Sequence, residues 1–252
     1  MICFEFPLVE RVRIFLRLEA LFERFNFLLA QDAATAHHYA VHCVFEIMDC
    51  VSRADLKSDL LQEIERQKQN FTPLLNQVEV DQDKLKDLLS QLNNLSTQLQ
   101  ANHQKFGSHL RENEWLMVLK QKISMSGGAS QFDFPSFHYW LQSACEKRRA
   151  DLELWIKPLN PTSLAVNELL KILRESTANQ SLVALKGQYQ RTGIGERVHL
   201  LRMFVDNDLH AVPEVSANKY ATNIRFMHES TTSAKGWQVD KDIPFQLGVC
   251  RF

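Results

Sequence analysis

The chain has 252 residues, with 29 lysines and arginines against 30 aspartates and glutamates and a formal net charge of −1, which excludes a generally basic nucleic-acid binder and a polyacidic disordered segment. With 45% hydrophobic and 23% charged residues the composition is ordinary globular, enough for one or two domains with a buried core. Five cysteines, Cys3, Cys43, Cys50, Cys145 and Cys250, form no CxxC pair and are odd in number, so a reducing cytoplasm is expected rather than a disulfide framework or a zinc ribbon.

Along the chain, Ile2-Cys3-Phe4-Glu5-Phe6 alternates apolar and polar as a short strand does, and Pro7 separates it from a long amphipathic helix over Leu8 to Leu29. Arg17, Glu19, Glu23 and Arg24 interrupt the apolar run of that helix, which excludes a signal peptide or membrane span there. At about 100° per residue, Arg13, Arg17 and Arg24 fall within an arc of about 40°, an arginine ridge beside the apolar face. A second helix is expected from Thr35 to Val51. Ser52-Arg53-Ala54-Asp55 then reads as a capping box opening a third, which Pro73 ends. Asp81 can cap a fourth helix, whose leucines at 85, 88, 92, 95 and 99 alternate spacings of three and four, so the third and fourth helices read as an antiparallel hairpin.

Gly107 precedes a fifth helix, Leu110 to Ile123, and Ser126 to Ser130 is a loop. Pro135 starts a helix bearing Phe137, His138, Trp140 and Leu141, and Asn160-Pro161 reads as an N-cap and first helical position of a last one. Past Ser181 the period changes from 3.6 to 2. Val183, Leu185 and Tyr189 predict one strand, Val198 to Val205 another, Tyr220 to Phe226 a third, and Ile243 to Val249 a last, placed at an edge by Pro244. Both chain ends then share one mostly antiparallel sheet: an α+β architecture, with a helical bundle over residues 7–178 and a β-domain of 1–6 and 179–252.

The chemistry-bearing residues are sparse. His38 and His42 share a helix face, but the glutamate of HExxH and a third ligand are missing, so no metal site is expected. Gly127-Gly128 lacks a following GK[ST], and Gly193-Ile194-Gly195 lacks both a third glycine and a helix behind it, so each reads as a loop or turn rather than a phosphate cradle. No nucleophile motif accompanies His138, and no acid–base constellation stands out, so no catalytic residue and no cofactor are assigned. Charged helix faces are normally just solvated. Arg225 is less ordinary: it lies on the strand face opposite Ile224 and Phe226, in line with Lys219, Ala221, Asn223 and Met227, a mix of basic and apolar groups that suits an acidic, partly apolar peptide.

Several separated segments, in matching order over nearly the whole chain, resemble the ZapD family of bacterial cell-division proteins. They are Phe4-Glu5-Phe6-Pro7-Leu8 with Arg13 and Leu16-Arg17-Leu18-Glu19, Gly127-Gly128 through Phe132-Asp133-Phe134-Pro135 to His138 and Trp140-Leu141, Trp155-Ile156, Leu159-Asn160-Pro161, and Ile224-Arg225-Phe226-Met227. The resemblance implies a helical domain with a curved antiparallel β-domain. It also implies a non-enzymatic cytoplasmic homodimer at midcell that binds the C-terminal tail of FtsZ and bundles its filaments, with neither nucleic acid nor membrane insertion. Arg13, Arg17, His138 and Arg225 match the family's basic tail-binding positions; two further basic positions are Ala221 and Glu114 here, for which nearby Lys219 and Arg111 are taken as substitutes. Two other readings compete: an enzyme or ligand-binding protein holding a small anion with the same basic residues, and a coiled-coil adaptor built on Leu85 to Leu99.

Overall fold

The computed structural model describes residues 1–52, 55–102, 104–192, 198–217, 221–230, 232 and 236–252. The helices are α1 (Glu10–Leu29), α2 (Ala34–Val51), α3 (Leu56–Phe71), α4 (Gln82–Ala101), α5 (Ser108–Arg111), α6 (Glu114–Ile123), α7 (Pro135–Gln142), α8 (Cys145–Ile156) and α9 (Asn160–Glu175). The strands are β1 (Ile2–Pro7), β2 (Gln180–Ala184), β3 (Gln188–Thr192), β4 (Leu200–Val205), β5 (Ala211–Ala217), β6 (Ala221–His228) and β7 (Ile243–Cys250). By internal packing the chain forms two compact units, Met1–Arg13 with Leu170–Phe252, and Ile14–Leu169. The class is α+β.

In the first unit every strand pair is antiparallel, but there are two sheets rather than the single one expected: β1-β4-β7-β2 and β3-β6-β5. The strand foreseen through Val183, Leu185 and Tyr189 is broken at Lys186 and Gly187, whose φ values of 48° and 69° turn the chain from β2 in one sheet to β3 in the other. Inward-facing Ile224 and Phe226 meet Met203, Phe245 and Leu247 in one core, with the Phe226 and Phe245 rings 5.2 Å apart. Strand β5 was not foreseen; Ala211 and Pro213 point inward, and Pro213 is tolerated because β5 is an edge. Pro244, by contrast, does not mark an edge, since β7 lies between β4 and β2. Its neighbour β4 pairs only from Phe245 onward, so at Pro244 the strand is paired with β2 alone. The Gly193-Ile194-Gly195 turn and Tyr220 lie outside the described residues.

Gly187 is required twice over, by its positive φ and by space: a Cβ there would lie 2.3 Å from the Val239 carbonyl oxygen. Gly187→Ala is therefore expected to lower stability by about 2 kcal/mol or more, read as a reduced urea midpoint. A variant as stable as the parent would mean that the turn relaxes freely. Glu5, across from Arg202 on β4, accepts from Arg174 Nε and Nη2 at 2.9 and 2.7 Å and lies 3.0 Å from Arg202 Nε, fastening β1 to β4 and to the last turn of α9.

In the helical unit α2 is central. His37, Ala40, Val41, Cys43, Val44, Phe45, Ile47, Met48 and Val51 are all buried, more than one stripe of the helix, and α7 and α8 pack on it. Ser52 does not open α3. It caps the end of α2, its Oγ donating to the Met48 carbonyl, and Asp55 takes the N-cap position; Arg53 and Ala54 lie outside the described residues. Asp81 caps α4 as expected, accepting from Lys84 N at 3.2 Å. Lys57 Nζ at the start of α3 donates to Asn102 O at the end of α4 at 2.6 Å, so the two helices run antiparallel. Leu85, Leu92, Leu95 and Leu99 are buried within the chain, which takes away the main support for a coiled-coil adaptor.

The expected fifth helix is two pieces, α5 and α6, because Asn113 turns extended and accepts from Leu116 N at 3.1 Å to restart the helix. Asn160 is no cap either. It already has helical φ and ψ of −56° and −42°, and its N–H is bonded back to Lys157 O through the preceding 3-10 turn. Helix α8, not separately foreseen, joins α6 and α7 through rings: Trp155 stands 5.7 Å from both Trp115 and Trp140, and Phe137 stacks on Trp140 at 5.8 Å. The indole N–H groups are satisfied, Trp140 Nε1 donating to Asp151 and Trp115 Nε1 to Ser136, each at 2.9 Å.

Candidate partner-binding surface

Arg17 is exposed on α1, where the apolar side of the helix, Ile14, Phe15, Leu18, Phe22 and Phe25, is buried and the basic residues are left outward. It lines an open cleft of about 510 Å³ with Ala20, Leu21 and Arg24 of the same helix and Glu46, Asp49 and Cys50 of α2. Arg24 is committed within this cleft to Glu46 at 3.3 Å, and Asp49 is paired with Lys120 of α6. Among the described residues Arg17 has no hydrogen-bond or ion-pair partner. The cleft thus offers one uncommitted guanidinium beside apolar Ala20 and Leu21, flanked by internally paired charges.

His138 is exposed on α7, one position from Phe137, whose buried ring holds the helix against α2, α6 and Trp140. Arg111 is exposed at the end of α5, and Glu114, at one of the family's basic positions, is exposed at the start of α6. Arg17, His138 and Arg111 all belong to the helical unit.

Arg13 and Arg225 belong to the β-unit. Arg13 is four residues from Arg17 on one helix, so this pair shares a face. Its own guanidinium is 3.3 Å from Glu10, with side chains 48% and 60% exposed, a surface pair that costs little to break. Arg225 is exposed on β6, while Thr222, Ile224 and Phe226 point into the core, as the period of two requires. Opposite it in register stand Glu214 on β5 and Gln188 on β3. Among the described residues it has no ion-pair partner within bonding distance. Lys219 lies outside the described residues; Ala221, the first residue of β6, is partly exposed.

Sequence reasoning missed the acidic wall of the cleft. Glu46 and Asp49 are spaced i, i+3 and interrupt an otherwise apolar stretch of α2, a signal that was legible. It also missed the commitment of Arg24, because its partner is 22 residues away.

Among the described residues no group of three or more His, Cys, Asp or Glu could hold a metal ion. Cys43 and Cys250 are buried and burial raises both thiols, Cys250 to about 11, so they behave as small apolar residues. Gly127 and Gly128 occupy a loop with φ of 88° and 71°. Among the described residues no helix is long and apolar enough to cross a membrane.

The family model described as "ZapD: Cell division protein" matches residues 16–225. The chain belongs to the ZapD family of cell division proteins. It is 46% identical to "Cell division protein ZapD" of Chromobacterium violaceum over 252 residues, the whole of both chains. It is 42% identical to the protein of that name from Nitrosomonas eutropha over 250 residues, 99% of each chain, and 41% to that of Ralstonia pickettii over 253 aligned positions, all of both. The ZapD match reaches Arg17, Arg111 and His138 and ends at Arg225, while Arg13 precedes it. The chain is thus a ZapD-family cell-division protein, and the candidate basic residues described above are exposed on α1, α5, α7 and β6.

Proposed function

We propose that this chain binds the C-terminal tail of FtsZ and, as a homodimer with one site per protomer, cross-links FtsZ filaments in the cytoplasm at midcell to promote assembly of the division ring. The observation that carries the reading is the state of Arg17 and Arg225: both exposed, and neither neutralised by a bonded acid among the described residues. Membership of the ZapD family supports the setting. Arg13, Arg17 and Arg225 donate charge-assisted hydrogen bonds to tail carboxylates, His138 adds a donor, and Lys219 and Arg111 substitute for the family's two missing basic positions. An apolar tail residue docks on the Ala20 and Leu21 side of the Arg17 cleft. Salt therefore weakens binding without abolishing it, since the apolar contact is unscreened.

No cofactor, metal or chemical step is part of this function. The test is binding of a fluorescent FtsZ tail peptide to the parent chain and to Arg13→Glu, Arg17→Glu and Arg225→Glu. Unchanged affinity in all three removes the site assignment. Light scattering with full-length and tail-truncated FtsZ then separates bundling through the tail from bundling by another route.

A further inference from the structure

His38 and His42, one turn apart on α2, approach each other as two ligands of one ion do. Their Nε2 atoms are 3.2 Å apart and their ring centroids 5.0 Å apart. Two imidazole nitrogens bound at about 2.0–2.1 Å to a tetrahedral zinc ion stand about 3.4 Å apart, so the observed span needs almost no adjustment. In the absence of an ion one Nε2 must donate its proton to the other; a cation replaces that single proton and takes both lone pairs.

The pair is held in place rather than loose. The His38 ring packs at 5.3 Å against Phe137 of α7, and Tyr39 lies 5.3 and 5.8 Å from the two rings. Both histidines are half-buried, and Tyr39 is 59% exposed, so solvent reaches the site. Glu46, the next residue along this helix face, is already engaged by Arg24.

We propose that His38 and His42 form a two-point chelate for a borderline-soft divalent cation such as zinc, with water in the remaining positions. Bound metal clamps two turns of α2 beside α7, the helix that carries His138. The site is independent of tail binding, since it uses none of the residues assigned to the FtsZ tail.

Titration of ZnCl2 into the full chain, stripped of metal with a chelator, is expected to give one zinc per chain and a rise in melting temperature. His38→Ala and His42→Ala each reduce the chelate to one ligand and are expected to weaken binding by about 10²-fold or more. His210→Ala, an exposed histidine of the β-unit, is expected to bind as the parent does. Equal uptake by the parent and the two variants overturns the proposal. Should either variant fail to fold, the imidazole ¹⁵N resonances of the parent decide: zinc must move His38 and His42 Nε2, and movement confined to other histidines overturns it.

Discussion

Arg148→Ala is expected to destabilise the helical unit by about 3–5 kcal/mol, the largest stability loss of any single polar substitution proposed for this chain. Arg148 is only 6% exposed, and its fork reaches three backbone carbonyls, on two separate segments, and one side chain. Nε donates to His37 Nδ1 at 3.0 Å, Nη1 to the Leu141 carbonyl at 3.2 Å and to that of Ser143, and Nη2 to the Asp32 carbonyl at 2.8 Å. It thereby ties the C-terminal end of α7 to α2 and to the link between α1 and α2. Alanine leaves these acceptors inside without a donor, and each orphaned acceptor costs about 1–3 kcal/mol.

The Asp32 carboxylate accepts from Arg149 Nη2 at 2.9 Å, and the Cys145 Sγ is 3.4 Å away. Those two contacts, the thiol first, hold its carboxyl below the usual range. His37 Nδ1 accepts the hydrogen bond from Arg148 Nε and so carries no proton of its own; burial first, with the Arg148 charge adding to it, lowers the pKa of His37. Arg149→Ala is the contrast, since its side chain is 34% exposed and water replaces what it loses. Equilibrium urea unfolding of both variants separates the cases. An Arg148→Ala loss no larger than that of Arg149→Ala would show that water enters and satisfies the hub. Because the hub holds the end of α7, Arg148→Ala also displaces His138, and tail binding by that variant should weaken without any change of charge at the surface.

None of this hub was legible in the sequence, for a physical reason. Arg148-Arg149 in a charged helix reads as solvated surface, and the partners that contradict this are 111 and 116 residues away. What the sequence disclosed was local. The period of α1 separated buried Phe15, Leu18, Phe22 and Phe25 from exposed Arg13 and Arg17, and alternation in β6 separated Ile224 and Phe226 from Arg225. It failed where a short segment changes sheet: two left-handed residues at 186 and 187 split one apparent strand in two, and β5, interrupted by Pro213, was not foreseen. Candidate site residues were readable as exposed cations. Which of them is already neutralised was not, since Arg24 and Arg17 carry the same periodic signal and differ only in whether Glu46 reaches them.

That difference in neutralisation sets an order for the functional variants. Arg17→Glu removes an uncommitted donor and plants a like charge before the tail. A charge-assisted hydrogen bond is worth about 1.5–3 kcal/mol, so tail-peptide affinity is expected to fall about 10–150-fold. Arg225→Glu should follow closely, its effect tempered by Glu214 across the ladder, whose field the parent arginine already meets. Arg13→Glu should cost least, because the tail must first displace Glu10, and Glu10→Gln should tighten binding for the same reason. Filament bundling is the more sensitive readout. A bridge needs two occupied sites, so a loss at each site enters twice, and a 10-fold weaker tail contact becomes a bridge weaker by about 10²-fold, the scale over which bivalency acts. Light scattering of FtsZ filaments with Arg17→Glu should therefore fall to the level of filaments alone at concentrations where peptide binding is still measurable. Bundling that persists undiminished beside weakened peptide binding would mean that the bridge is built elsewhere on the molecule, and a larger effect from Arg13 than from Arg17 would mean that the uncommitted guanidinium is not what the tail seeks.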